Sequence, residues 1–560
     1  MTKIIECVPN FSEGRDMKII KQITDEIEKT EGVTLLDVDP GADTNRTVVT
    51  FVGTPGEVIE AAFRAVKKAS EVIDMSKHSG AHPRFGATDV CPLVPVSNIS
   101  MEETIEYAHK LAKRIGTETD IPVYCYEHAA FKEERRNLAN CRKGEYEGLK
   151  EKLANPKWKP DFGEAKFNAK SGVTAVGARD FLVAFNVNLN TTSTRRANAV
   201  AFDVREKGRV KREGNKLTGK PVLDDNGKKV WEPGTLKAVK GIGWYIEEYG
   251  IAQISMNLTN ISITPVHVAF DEVVDKAAKR GIRVTGSELV GLIPKEAILN
   301  AGKYFLRKQQ RSLGVSEDEL IKIAVKSMGL DELKEFKPEE KIIEYMMEDD
   351  SKQKLVDMDL TAFANETASE SPAPGGGSIA AYVGALGASL GTMVANLSSH
   401  KRGWDDRWEE FSIIAEKGQK KKDQLIWLVD EDTNAFNKIM EAFRLPKKSQ
   451  NEIIQRQEAI NEATRYAIEI PYRVMKTAYE SMEVMKVMAE KGMKSSISDA
   501  GVGAICSMAA VNGAFLNVKI NTKDFDDKDF VKDILAKANE LTEKAKQKEQ
   551  EILALVEKDL

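Results

Sequence analysis

The hydrophobic and polar positions give the chain two textures. Up to about residue 330, short β-branched and apolar runs alternate with amphipathic stretches. Residues 4–8, 33–38 and 46–53 read as strands, and 55–74 reads as a helix opened by Pro55 in its first turn. The order strand, helix, two strands, helix predicts an α+β sandwich with helices on one sheet face. A helix over 101–116 and a strand over 122–126 extend it. A fresh set begins near Thr174, with strands expected at 181–189, 251–258 and 282–292 and helices at 268–280 and 295–308. Beyond Leu330 the strand signal vanishes. Residues 336–359 are charged and linker-like, and the rest is helically periodic, punctuated by Pro446 and Pro471 and ending in a Lys/Glu-rich surface helix over 529–560. The expectation is therefore multidomain: an α+β N-terminal half in two sheet-and-helix subdomains (1–180 and 181–330), a linker (331–355), and an all-α bundle (356–560). No short internal repeat is apparent.

Composition narrows the class. A chain of 560 residues exceeds one ordinary core, and 42% hydrophobic with 30% charged residues is the balance of folded protein. A formal net charge of −5 gives no overall pull toward nucleic acid. The cysteines (Cys7, Cys91, Cys125, Cys141, Cys506) are scattered, odd in number and without a CxxC pair, which predicts reduced thiols rather than a disulfide framework or structural zinc. The start, MTKIIECVPNFSEGRD, carries no signal-peptide pattern, so a cytoplasmic location is expected. One local charge excess stands out: residues 203–240 hold 11 Lys/Arg against 6 Asp/Glu. This is either a basic flap that attracts an anionic substrate tail or a solvated hairpin insertion, with Asp225-Asn226-Gly227 as its turn.

Candidate chemistry is sparse enough to weigh piece by piece. Histidine occurs six times, and two lie in KHSGAHPRFGATDVCPLVPV. His78 and His82 have the i, i+4 spacing of helical metal ligands, but Gly80 and Pro83 argue against a helix there. A loop histidine suits proton transfer near neutral pH, or is simply structural. In LLDVDPGADTNRT, Asp37, Asp39 and Asp43 follow a strand; Asp39 could orient a catalytic imidazole or belong to an Asx turn around Pro40-Gly41. Arg46, Arg84 and Arg179 could each clamp a substrate carboxylate or form an ordinary ion pair.

Two segments of the helical half stand out. In SPAPGGGSIAAYVGALGASLGTMVANLSS, the span 378–397 is long and weakly polar, with Gly387 and Gly391 spaced like a membrane dimer face. Its Ala/Gly/Ser content and the want of a second such span argue against membrane crossing. Gly375–Gly377 lacks the Lys-Ser/Thr of a P-loop, so it opens a helix whose amides could bind a carboxylate or whose small residues allow close packing. In DQLIWLVDEDTNAFNKIMEAFRLP, Leu425, Leu428, Asp432, Phe436, Ile439 and Phe443 fall on one helical stripe, and Asp430 points away from it. A carboxylate on a core-facing stripe is desolvated, which suits a proton shuttle, or it is paired with a neighbouring helix. Asp499, after Ser495-Ser496-Ile497-Ser498, reads as a capping residue.

These segments resemble known families. KIIECVPNFSEGRD, LLDVDPGADTNRTVVTFVG, HSGAHPRFGATDVCPLVPV, GARDFLVAFNVNL and KGIGWYIEEYGIAQISMNL resemble glutamate formiminotransferase. SPAPGGGSIAAYVGALGASLG, LVDEDTNAFNKIMEAFRLP and AFLNVKIN resemble formiminotetrahydrofolate cyclodeaminase. Joined in this order, they resemble the bifunctional formimidoyltransferase-cyclodeaminases of histidine breakdown over nearly the whole chain. The resemblance implies transfer of a formimino group from N-formimino-L-glutamate to N5 of tetrahydrofolate, then cyclisation to 5,10-methenyltetrahydrofolate with release of ammonia. It puts the family's catalytic histidine on His82, its folate-binding stretch on GEAKFNAKSG (163–172, with Gly163, Phe167 and Gly172), and its catalytic aspartate on Asp432. It also implies a homo-oligomer, tetrahydrofolate as a polyglutamylated co-substrate, small-molecule partners without nucleic acid or membrane, and no metal. This chain departs from the family in a longer basic stretch near 205–234 and in Lys166 and Lys170 within the folate segment. The rival readings are a folate enzyme using a formyl donor and a non-catalytic folate-binding scaffold.

Overall fold

The computed structural model describes residues 3–42, 44–80, 84–214, 219–347 and 354–560. The chain falls into two compact units: Met1–Ala301 with Val325–Glu348, and Gly302–Ala324 with Asp349–Leu560.

The first unit holds two sheets. One is seven-stranded: β1 (Ile4–Cys7), β2 (Asn10–Phe11), β3 (Val33–Gly41), β4 (Arg46–Gly53), β5 (Thr88–Ser97), β6 (Val123–Glu127) and β7 (Thr174–Ala178). β1 and β2 lie in line between β4 and β5, β3 flanks β4, and β7 and β6 continue in parallel beyond β5. The helices α1 (Met17–Glu28), α2 (Pro55–Val72) and α3 (Met101–Glu118) cover one face, as the alternation predicts. Ile5, Cys7, Val49, Phe51, Cys91, Leu93 and Val176 point into that core. Helix α3 starts on a capping box between Ser100 and Glu103. The opposite face carries Glu6, Asn10, Asp39, Arg46, Tyr126 and Arg179. At its β5–β7–β6 end, short helices (Glu133–Arg136, Leu138–Arg142, Leu149–Ala154) close a second cluster around Phe85, Tyr124 and Tyr126.

The second sheet is antiparallel, in the order β11 (Val239–Ile246), β12 (Ile251–Leu258), β8 (Val183–Leu189), β13 (Val284–Val290). Helices α4 (Thr194–Val204) and α5 (Val266–Ala278) pack on it. The basic stretch forms a hairpin: β9 (Arg209–Val210) pairs with β10 (Trp231–Glu232), and Leu223 bridges Lys229. The expected turn is present, with Gly227 at φ +73 and its N–H on Asp224 O at 2.9 Å. Residues 215–218 of this stretch lie outside the described residues. Within 331–355, Ile342 and Ile343 are fully buried and Ile293 pairs with Ile342, so part of that charged stretch is folded.

The second unit is helical: α6 (Gly376–Ser399), α7 (Trp408–Arg444), α8 (Gln450–Lys491), α9 (Ile497–Thr522) and α10 (Lys528–Asp559). Helix α6 packs on α7, α8 and α9. Its glycines make that possible: a Cβ on Gly387 would sit 2.7 Å from Gly503 O. Three expectations need correction. Pro471 does not punctuate the bundle; it is buried inside α8, which runs through it. Asp499 is not the cap of α9, since Ser496 holds that position and Asp499 sits in the first turn. Nor does 378–397 stand alone: Gly376–Ser399 and Lys494–Thr522 are both long and apolar enough to cross a membrane, yet 61% and 56% of their most apolar windows are buried against other parts of the protein.

Candidate active sites

The polar face of the first sheet is assembled around the β3–β4 turn. Asn45, buried at φ +48, accepts from Gly14 N–H at 3.0 Å and donates to Ser79 O at 3.0 Å. Its own carbonyl meets His78 Nε2 at 2.8 Å. Arg84 Nε donates to His78 Nδ1 at 3.4 Å, so Nε2 carries the proton given to Asn45. His78 is thus a structural histidine, in extended backbone after the 3₁₀ turn Met75–Lys77 rather than on a helix. The turn holds the 78–80 loop tightly, because a Cβ on Gly80 would lie 2.2 Å from Thr44 O. His82 follows directly, but it and Asp43 lie outside the described residues.

The other candidates fare differently. Asp39 is exposed on β3 opposite Val48, on the same face as Arg46. Burial lowers the Arg46 guanidinium pKa, with Asp89 opposing and Arg142 adding to the shift. Arg84 is held in ion pairs, to Glu147 through Nη2 at 2.7 Å and to Glu145 through Nη1 at 3.3 Å; of its two readings the ion pair is the observed one. Arg179 donates to Asp180 O at 3.1 Å and lies beside Glu6. Burial pushes the Glu6 carboxyl up to about 7, and Arg179 limits the rise.

In the folate segment the glycines have backbone reasons. Gly163 (φ +80) would place a Cβ 2.9 Å from Ile121 O, and Gly172 (φ +65) 2.2 Å from Phe85 O. Phe167 stands beside Tyr146, ring centroids 5.7 Å apart, over the Phe85–Tyr124 cluster. Lys170 Nζ donates to Glu71 O at 2.6 Å.

Sequence reasoning missed a carboxamide row on the second sheet. Asn186, Asn188 and Gln253 are buried on the face away from α4 and α5. Gln253 donates to Asn188 at 2.8 Å, and Asn186 to Glu288 at 3.1 Å. The signal was Asn and Gln at alternate positions of otherwise apolar strands. Such a row can pair with the amide or heterocyclic edges of a ligand.

The second site is where α6 begins. Its N-cap is Gly375, and the glycines leave room for α7: a Cβ on Gly377 would lie 2.1 Å from Asp432 Oδ1. Ser378, fully buried, places its hydroxyl 2.8 Å from Val429 O, 3.3 Å from Asp432 Oδ2 and 3.4 Å from Thr433 Oγ1. Burial raises the Asp432 pKa, and the Ser378 backbone N–H and hydroxyl, both donating to the carboxylate, oppose the rise. Asp430 faces elsewhere and takes Leu355 N–H at 2.7 Å. The stripe expected on α7 holds only at its start. Leu425 and Leu428 are buried, but Phe436 and Phe443 are 47% and 50% exposed, and Ala435 and Ala442 occupy the buried side. An open groove of about 530 Å³ meets the glycine turn, lined by Thr367, Pro374, Gly375, Gly376, Ile379 and Gly513 among others. Asp432 is not in its lining; it touches the next residue, Gly377. Among the described residues, no three His, Cys, Asp or Glu side chains are grouped so as to hold a metal ion.

Three family models match in chain order. Residues 4–179 match the formiminotransferase domain, N-terminal subdomain; 184–348 the formiminotransferase domain; and 359–540 formiminotransferase-cyclodeaminase. The two-sheet unit and the bundle thus define a formiminotransferase joined to a cyclodeaminase-type domain. A formimidoyltransferase-cyclodeaminase of Gallus gallus is 43% identical over 559 residues, 100% of this chain and 99% of that protein. One from Dictyostelium discoideum is 42% identical over 558 residues, 99% of each. A glutamate formimidoyltransferase of Streptococcus pyogenes serotype M1 is 42% identical over 307 residues, 55% of this chain and 94% of that protein. The chain belongs to the formimidoyltransferase-cyclodeaminase family.

Proposed function

We propose that this chain moves the formimino group of N-formimino-L-glutamate to N5 of tetrahydrofolate and then closes the product to 5,10-methenyltetrahydrofolate, releasing ammonia. The observation that carries this is the end-to-end match to bifunctional relatives, at 43% identity over 559 residues. In the first reaction N5 attacks the formimino carbon, the bond from that carbon to the glutamate nitrogen breaks, and a proton passes from N5 to that nitrogen. His82 moves the proton, Asp39 orients its imidazole, and Arg46 and Arg179 hold substrate carboxylates. Arg84 is already paired and supports the loop instead. Gly163, Phe167 and Gly172 belong to the folate-binding stretch.

In the second reaction N10 attacks the same carbon and the bond to the amine breaks. Asp432, desolvated beside the glycine turn, delivers the proton that lets the amine leave. Gly375, Gly376 and Gly377 admit the folate to this corner. The co-substrate is polyglutamylated tetrahydrofolate, and the basic hairpin near 205–240 suits its anionic tail. A homo-oligomer is supported by Leu516 and Ile520 on α9, exposed at 66% and 61%. The free thiols of all five cysteines fit a reducing cytoplasm.

The test is a coupled assay following methenyltetrahydrofolate by near-ultraviolet absorbance alongside ammonia, with both expected in equal amounts. Asp432→Asn stops ammonia release with transfer intact, and His82→Ala stops transfer. Folate binding without either product refutes the proposal, and a formyl donor is then tried.

A further inference from the structure

The carboxamide row of the second sheet spends its donors on carboxylates. Residues paired across an antiparallel sheet share a face, so Trp244, Gln253 and Asn188 form one row over β11, β12 and β8. Ile242, Ser255, Asn186 and Glu288 form the next, which reaches β13. Glu288 Oε2 accepts from Asn186 Nδ2 at 3.1 Å and from Gln253 Nε2 at 3.3 Å. Gln253 also donates to Asn188 Oδ1 at 2.8 Å, and Asn188 donates in turn to Glu332. Among the described residues, Glu288 Oε1 meets only the Tyr249 hydroxyl, at 3.4 Å. A carboxylate oxygen takes two donors and that contact is long, so Oε1 keeps room for a ligand. The hydrogen-bond partners of Glu288 are all neutral. Lys334, the cation on this side, pairs with Glu248 at 3.9 Å and sits 5.9 Å from the Tyr249 ring centroid.

A carboxylate steadied by amides and carrying no salt bridge suits a ligand edge made of N–H donors. The same face is apolar at its other end. Ile242 and Trp244, 54% and 47% exposed, stand on β11, three strands from Glu288, which is about 14 Å at the usual strand spacing. The occupant that fits is long and flat, with paired N–H donors at one end and an aromatic ring further along. We propose that Glu288 reads the 2-amino-4-oxopyrimidine edge of tetrahydrofolate, accepting from its N3–H and 2-amino groups, with the aminobenzoyl ring directed toward Ile242 and Trp244. N-formimino-L-glutamate also carries N–H donors, but it is short and has no ring to offer the apolar end. The proposal rests on the reading of the two-sheet unit as a tetrahydrofolate-dependent transferase.

The experiment uses the full chain and follows glutamate release, varying tetrahydrofolate and N-formimino-L-glutamate in turn. Glu288→Gln should raise the KM for tetrahydrofolate about 10- to 100-fold, with kcat and the KM for formiminoglutamate within about threefold of wild type. A tetrahydrofolate with a methyl group in place of the 2-amino group removes the same bond from the other side. It should cost the wild type about tenfold or more in kcat/KM but cost Glu288→Gln less than about threefold, a coupling that a merely structural glutamate would not show. An unchanged KM for tetrahydrofolate, a rise for formiminoglutamate, a fall in kcat instead, or equal analogue penalties in both chains overturns the inference. Where circular dichroism shows the variant misfolded, the analogue on the wild type decides, and an undiminished kcat/KM overturns it. A wild-type chain that releases no glutamate fails the transferase reading itself; one that transfers normally while Glu288→Gln matches it fails only this inference.

Discussion

Gly377→Ala is the sharpest probe of the corner where α6 meets α7. The added Cβ would lie 2.1 Å from Asp432 Oδ1 and 2.4 Å from its Cγ. Unbonded carbon and oxygen need roughly 3.2 Å or more, so the carboxyl has to retreat by about 1 Å. Both atoms sit in packed surroundings, so the displacement falls on the reacting geometry. A 1 Å misplacement costs on the order of 10²-fold in rate, which is the loss expected for ammonia release from 5-formiminotetrahydrofolate. Glutamate release by the transferase half should not change. Alanine favours the helix over glycine, so weaker folding of α6 cannot supply the loss. Gly501→Ala in α9 is the control, since its Cβ would meet Val556 at an ordinary 3.4 Å. Cyclisation within threefold of wild type in Gly377→Ala, or a parallel fall in both activities, would refute the reasoning.

Two further predictions concern the first unit. The Glu6 carboxyl rises from 4.5 to about 7 by burial, so the folded state holds its proton more tightly than the unfolded chain. Its contribution to instability is therefore absent below about pH 4.5, grows as pH rises toward 7, and levels off above it. Glu6→Gln should gain thermal stability relative to wild type across that window, by roughly 3 kcal/mol at the upper end; a gain equal at pH 5 and pH 8 would contradict this. Arg135 and Asp161 form an ion pair at 2.5 Å with side chains 0% and 7% exposed, and Arg135 also donates to Lys159 O at 2.7 Å. Arg135→Ala leaves Asp161 buried without its cation and should cost about 3–5 kcal/mol by thermal melting of the transferase; an unshifted melt would show the pair to be dispensable.

The change of periodicity near Leu330 made the fold class legible, because strands and bundle helices bury different repeats. Asp432 was separable from Asp430 for the same reason, and the structure turns the two carboxylates to different neighbours. The far end of that stripe was misjudged because α7 buries Ala435 and Ala442, and a pattern weighted by large side chains follows Phe436 and Phe443 instead. Strand β5 was not expected, since Pro92 and Pro95 argue against a central strand. Its ladders with β1 and β2 each carry a register irregularity that accommodates such a chain. The carboxamide row escaped because polar residues at every second position look like the wet side of a strand, and only the fold reveals that they are buried. His78 could be told from a metal ligand only through Asn45, 33 residues away.

The division of the chain into units bears on how its halves can be handled apart. Residues 302–324 belong to the helical unit, yet 325–348 returns to the two-sheet unit. Gly302 is pressed against Leu320, and Gly314 against Ala415 of α7, so this segment is built into the bundle's packing. A single cut therefore parts the two units only by dividing one of them. Cleavage near residue 350 would leave the transferase fragment carrying a piece of its neighbour's core, like a hem sewn into the adjoining cloth. A gene split for separate expression would have to decide which half carries those 23 residues.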